Sequence, residues 1–167
     1  MTKTDLVELL DFNRRKTLDL LDSIGKQSQP EKVLGWRPGP GRAHIAWQLM
    51  HIAATDDRHV HVRMQGGQPH DAELVRRFAG GSVPDDAIPG LDEIRRYLDS
   101  QRQELLKQLQ SVPESDLNQK PNPQAPWTYH EWIKVLTWHE AHHHGQAHLT
   151  FNLYRASQDP AAAKTGH

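Results

Sequence analysis

Apolar residues recur at helical spacing in four segments of the chain, and no segment alternates convincingly as a strand does. The first runs from about Thr4 to Ile24, with Leu6, Leu9, Leu10, Leu18, Leu21 and Ile24 at that spacing and Gly25 as its stop. A polar connection carrying Pro30, Pro38, Gly39, Pro40 and Gly41 follows. The second helix is expected from roughly Arg42 to Met64. Its first half, Ile45 to Ala54, is apolar on nearly every side and belongs deep in a bundle. Gly66-Gly67 ends it. The stretch from Gln65 to Pro89 is long for a loop, and a short helix near Ala72 to Phe78 and a role in covering a pocket are expected there.

The third helix runs from Leu91 to about Val112 on the stripe Ile94, Leu98, Leu105 and Leu109, with Asp92 and Glu93 at its positive end. A Pro- and Asn-rich linker leads to the fourth. There Thr128 and Glu131 have the spacing of a capping box, and the helix is expected to reach about Tyr154. Four long helices without strands predict an all-α four-helix bundle with long connecting loops. One domain is expected over residues 1–156, with 157–167 a disordered tail.

The formal net charge of -1 and the mixing of acids with bases argue against nucleic acid or an anionic membrane as partner. The run Asn13-Arg14-Arg15-Lys16, with Asp19 and Asp22 following, reads as a solvated helix face. Cysteine is absent, which removes disulfides, thiolate metal sites and cysteine nucleophiles. No signal-peptide core or membrane span is legible, so a soluble cytoplasmic location is expected.

Against this background, twelve histidines stand out, four of them between His139 and His144. At about 100° per residue, His139 and His143 lie one turn apart on one face. On the same arc fall Trp132, Leu136, Gln146, Thr150, Leu153 and Tyr154, whereas His144 and His148 fall with Lys134, Thr137, Asn152 and Arg155. The pair 139/143 is therefore expected to face the core and the pair 144/148 to face water. Two inward imidazoles one turn apart need partners, and a divalent metal ion is such a partner. A third ligand must come from another element. In the second helix His51 lies in the most apolar stretch, with His44 and His59 as the alternatives. Gln48, Thr55, Arg58 and Gln146 share a face with these ligands, although Arg58 also reads as a surface ion-pair residue and Gln146 as a packing residue.

Trp36-Arg37-Pro38 with Pro40-Gly41, then Trp47-Gln48-Leu49-Met50-His51-Ile52-Ala53, and finally His139 and His143 before Gly145-Gln146 together resemble the DinB/YfiT-like family of metalloenzymes. The order of helices agrees as far as about Tyr154. The run His142-His143-His144 departs from the commoner basic residue before Gly-Gln. The resemblance implies an up-down-down-up bundle that holds zinc or nickel through His51, His139 and His143, and it implies homodimers. It also implies, for some members, thiol S-transferase or isomerase activity with a low-molecular-weight thiol cosubstrate. A non-catalytic, metal-stabilised dimeric stress-response or binding protein is the alternative. A third reading comes from His139-Glu140-Ala141-His142-His143, which satisfies the H-E-x-x-H pattern of zinc proteases. It lacks a downstream ligand: the sole acidic residue after Glu140 is Asp159.

Overall fold

The computed structural model describes residues 1–158. Its elements are α1 (Lys3–Gly25), α2 (Pro30–Gly35), α3 (Ile45–Asp57), α4 (Ala72–Arg77), α5 (Leu91–Ser111) and α6 (Tyr129–Gln158). No strand occurs among the described residues. The helix starts follow from local chemistry. Thr2 and Asp5 form a reciprocal cap on α1. At α6 the N–H of Thr128 donates to Glu131 at 2.9 Å and the N–H of Glu131 donates to the Thr128 hydroxyl at 3.2 Å.

Three features differ from the sequence expectation. The polar connection after Gly25 contains α2, where Pro30 occupies the first turn, a position that needs no amide hydrogen. Its Val33 and Leu34 are fully buried. The second long helix does not stay α-helical to its end: it passes into a π-helical segment, Arg58–Met64, that carries Val60 and Met64 into the core. At the other terminus, Ser157 and Gln158, expected in the tail, belong to α6. The rest of that expected tail, 159–167, lies outside the described residues.

Side-chain pairings fix the direction of the four long helices. Arg102 of α5 donates to the carbonyl of Leu10, and Arg14 of α1 to that of Leu98, so α1 and α5 are antiparallel. Asn13 donates to the carbonyl of Thr137, and Leu6 and Leu10 share a cluster with Trp132 and Leu136, so α1 and α6 run parallel. His51 meets His139 and Gln48 meets His143, which makes α3 and α6 antiparallel. Asp56 meets Arg102 and Gln65 meets Gln108, which makes α3 parallel to α5. The bundle is up-down-down-up, as expected.

The apolar core falls into two clusters. One gathers Leu20, Leu21, Ile24, Val33, Leu34, Leu49, Met50, Ile94, Leu98 and Phe151 among others. The second gathers Leu6, Leu10, Val60, Met64, Leu105, Leu109, Trp132 and Leu136. Between them each long helix contributes a buried charged residue to one cluster: Arg14, Asp56, Arg102 and Glu140, all at most 5% exposed. Arg14 thus leaves the solvated run in which the sequence places it, while Arg15 and Lys16 are exposed.

Candidate metal centre

The helical stretch Ile45 to Ala54 is buried on nearly all sides, and His51 within it is 7% exposed. Its ring is held from three directions. Trp47, one turn earlier, stacks on it with ring centroids 4.7 Å apart and planes 14° apart. The Nδ1–H donates to the carbonyl of Phe78 at 2.6 Å. Gly80 passes so close that an added Cβ would lie 3.8 Å from His51 Cε1. The long connection after α3 therefore folds back, as α4 and the turn behind it, to cover this imidazole. Arg37 secures that cover by donating to the carbonyls of Pro84 and Asp85, and Trp47 Nε1 donates to Ser82 at 3.2 Å.

From α6, His139 and His143 reach the same place. His139 Nε2 is 3.1 Å from His51 Nε2, and the Nδ1–H of His143 donates to Gln48 Oε1 at 2.6 Å. One ligand nitrogen from each of His51, His139 and His143 lies within 4.8 Å of the others. Nitrogens on one tetrahedral zinc ion stand about 3.3 Å apart, so the cluster is of a size that closes on an ion with a small movement.

The hydrogen bonds set the chemistry of these rings. With Nδ1–H committed to a carbonyl oxygen in both His51 and His143, the Nε2 of each carries a lone pair. His51 Nε2 then faces His139 Nε2, a contact satisfied either by a proton on His139 or by a cation between two lone pairs. Burial keeps all three rings neutral. It lowers the His139 pKa to about 3, helped by the neighbouring His143 and His51. It lowers that of His143 to about 4, with His51 and His142 adding to the effect. Burial also lowers His51, against the opposing influence of the Phe78 carbonyl. Neutral imidazoles with free Nε2 atoms are the donors a divalent cation requires. The residues present fit such an ion.

The other candidates take different roles. His44 caps α3: its Nδ1 accepts from the N–H of Trp47 at 3.0 Å while Nε2 pairs with the carbonyl of Asp85. His59 donates through Nδ1 to the carbonyl of Thr55 at 2.7 Å and packs edge-on against Trp132. Thr55 Oγ1 lies 3.4 Å from His139 Nε2, so it and Gln48 are in place beside the triad. Arg58 is exposed and, among the described residues, pairs with neither histidine nor carboxylate. Gln146 is exposed and pairs with His142, and Leu153, expected on the inward arc, is 44% exposed. His148 is exposed as expected, but His144 is half-buried in a groove between α1 and α6.

Glu140 makes no hydrogen bond to the triad. Its carboxylate accepts from Arg14 Nε at 2.8 Å and from Arg102, on the side of α6 turned to the bundle centre. Asp56 of α3 accepts from both guanidiniums, at 3.3 Å from Arg102 and 3.5 Å from Arg14. Burial raises the Asp56 pKa to about 6 against the pull of Arg102 and Arg14. Burial would also raise Glu140, but there the two guanidiniums prevail and its pKa is lowered. The sequence contained a sign of this layer, since Arg14 follows Leu6 and Leu10 on the stripe that continues through Thr17, Leu21 and Ile24.

No curated protein matches the chain. The model of the DinB superfamily matches residues 9–147, a span that takes in His51, His139 and His143. With the bundle topology and the histidine triad both in place, the chain belongs to the DinB superfamily.

Proposed function

We propose that the chain binds one divalent metal ion, zinc or nickel, through Nε2 of His51, His139 and His143, and that the loaded centre acts on a small molecule. The observation that carries this reading is the pair of Nε2 atoms from His51 and His139, 3.1 Å apart, in a site where the Nδ1–H groups of His51 and His143 are already spent on carbonyl oxygens. A bound divalent ion supplies Lewis acidity, which brings a water or thiol to ionisation near neutral pH. The chain's own groups do the rest. Phe78 and Gln48 hold the tautomers of His51 and His143, Trp47 backs the ring of His51, and Thr55 offers a hydroxyl beside His139.

Thiol S-transfer suits such a site: a low-molecular-weight thiol loses its proton to solvent, its sulfur bonds to an electrophilic carbon, and the leaving group departs with its electron pair. Hydrolase or isomerase chemistry would use the same ligands. The second reading is a metal-stabilised homodimer without a reaction. Its support is the outer face of α6, where Trp138 is 63% and Leu149 61% exposed, an apolar surface that a second copy would cover. Among the described residues, no helix is long and apolar enough to cross a membrane.

The test combines metal content with turnover. Purified chain is expected to carry about one ion per protomer. Zinc- and nickel-loaded samples are then offered glutathione, bacillithiol and mycothiol with a panel of electrophiles. Turnover that needs both metal and thiol supports the transferase; bound metal with no turnover favours the non-catalytic dimer; a chain that takes up no metal overturns both.

A further inference from the structure

We infer that Glu140 is a positioning residue for the histidine triad, acting through the buried cluster it forms with Arg14, Arg102 and Asp56. This deepens the metal-site reading and relies on it only for the purpose of the triad. The four residues come one from each long helix. The two carboxylates belong to the two helices that carry the histidines: Asp56 follows Thr55 on α3, and Glu140 follows His139 on α6. The two guanidiniums belong to the helices that carry none. Each guanidinium binds both carboxylates, and each also donates to a backbone carbonyl of the other arginine's helix, Arg14 to Leu98 and Arg102 to Leu10.

Such a cluster is a poor source of stability, because apolar side chains of equal volume often hold a fold as well or better. Directed hydrogen bonds do what apolar contacts do not: they set the rotation of a helix about its axis. On α6 the step from Glu140 to His139 is about 100°. Two planar guanidiniums arriving from different helices stop Glu140 from turning, and His139 and His143 are thereby aimed at α3. Asp56 does the same for α3 from the opposite side of the cluster. The seam between α3 and α6 is bridged directly only by the histidines, Gln48 and Thr55, among the described residues, as far as hydrogen-bonded side chains go. It therefore depends on a clamp elsewhere to hold its register.

The experiment reads hydrogen bonds in metal-free, 15N-labelled chain. His51 and His143 each have an Nδ1–H buried against a carbonyl oxygen, and each gives its own downfield proton signal. The His51 bond, to Phe78, stays within α3 and the segment that covers it; the His143 bond, to Gln48, crosses the α3–α6 seam. In Glu140→Gln the His143 signal is expected to vanish or to exchange with solvent at least tenfold faster, while that of His51 changes less than twofold. Retention of both signals overturns the inference, and so does loss of both, which marks a general role in stability. If circular dichroism shows Glu140→Gln unfolded, Arg14→Lys, which keeps the charge but not the fork, decides by the same criterion. Arg95→Ala, which removes an exposed α1–α5 ion pair with Asp22, is expected to leave both signals unchanged. The metal content of the wild type separately decides the metal reading.

Discussion

Glu140 follows His139 in the chain, yet its carboxylate turns away from the triad and accepts from Arg14 Nε at 2.8 Å. A general base in a zinc protease must instead reach a water on the metal. The H-E-x-x-H spacing here is met in letters while its glutamate is committed to the bundle centre. The metal-loaded wild type is therefore expected to leave casein and unstructured peptides uncut. Glu140→Gln, which strands two buried guanidiniums with half their counter-charge, is expected to lower stability in urea by about 3–5 kcal/mol. Peptide cleavage that disappears in a stably folded Glu140→Gln variant would reverse this assignment.

Metal content separates the inward histidines from the outward ones. His51→Ala, His139→Ala and His143→Ala are each expected to lose the ion, because two imidazoles hold a divalent cation far less well than three. His144→Ala and His148→Ala are expected to keep it. Elemental analysis after gel filtration checks this, and the opposite pattern would move the site to the groove between α1 and α6.

Gln48 offers a finer test. Its Oε1 accepts from Nδ1–H of His143 at 2.6 Å and so selects the tautomer with Nε2 free. Gln48→Leu keeps the volume and removes the acceptor, and metal affinity is expected to fall by about 10–100-fold. Titration against a chromophoric chelator measures it. An unchanged affinity would mean that another group fixes the ring.

Acid should destabilise the metal-free fold. An unperturbed histidine takes up its proton near 6.5, but burial holds His139 to about 3 and His143 to about 4. His44, His51 and His59 are lowered too, burial being the main cause in each. Below pH 6.5 the unfolded chain therefore binds more protons than the folded one, and stability falls as pH falls. Each ring that stays neutral costs about 1.4 kcal/mol at pH 5.5. Asp56 has the reverse sign: with its pKa raised from 3.8 to about 6, it contributes stability at low pH that is lost as pH rises through 6. Five imidazoles outweigh one carboxyl, so the melting temperature in EDTA is expected to drop between pH 7 and 5.5. A level or rising profile would show that the rings are protonated in the fold.

The parts of the fold visible in the sequence are those where one periodicity governs. Ile94, Leu98, Leu105 and Leu109 form the buried stripe of α5 as their spacing predicts, and the Thr128–Glu131 cap is formed. His139 and His143 were separable from His144 and His148 because the residues around them differ in polarity. The helix α2 was hidden because Pro30 reads as a breaker, although Val33-Leu34 behind it supplied an apolar pair. The π-helical stretch after Asp57 leaves no mark in a pattern of apolar spacing. Arg14 stands on a buried stripe in the sequence, but there, as for Arg102, a charge makes sense only once its partners, on other helices, are known. His51 was ranked ahead of His44 and His59 by its place in the most apolar stretch, but its partners, on α6 and in the segment after α4, are set only by the fold.

The two histidines that nearly touch, His51 and His139, are 88 residues apart in the chain. Their meeting closes a loop of about half the polypeptide, and the entropy of that closure must be met by other contacts before the triad exists. In the unfolded chain only His139 and His143 are near one another, as a weak local chelate. An ion that prefers all three ligands consequently cannot nucleate folding; it arrives late and acts as a removable cross-link. Its effect should appear in the rate at which the bundle opens and hardly at all in the rate at which it forms.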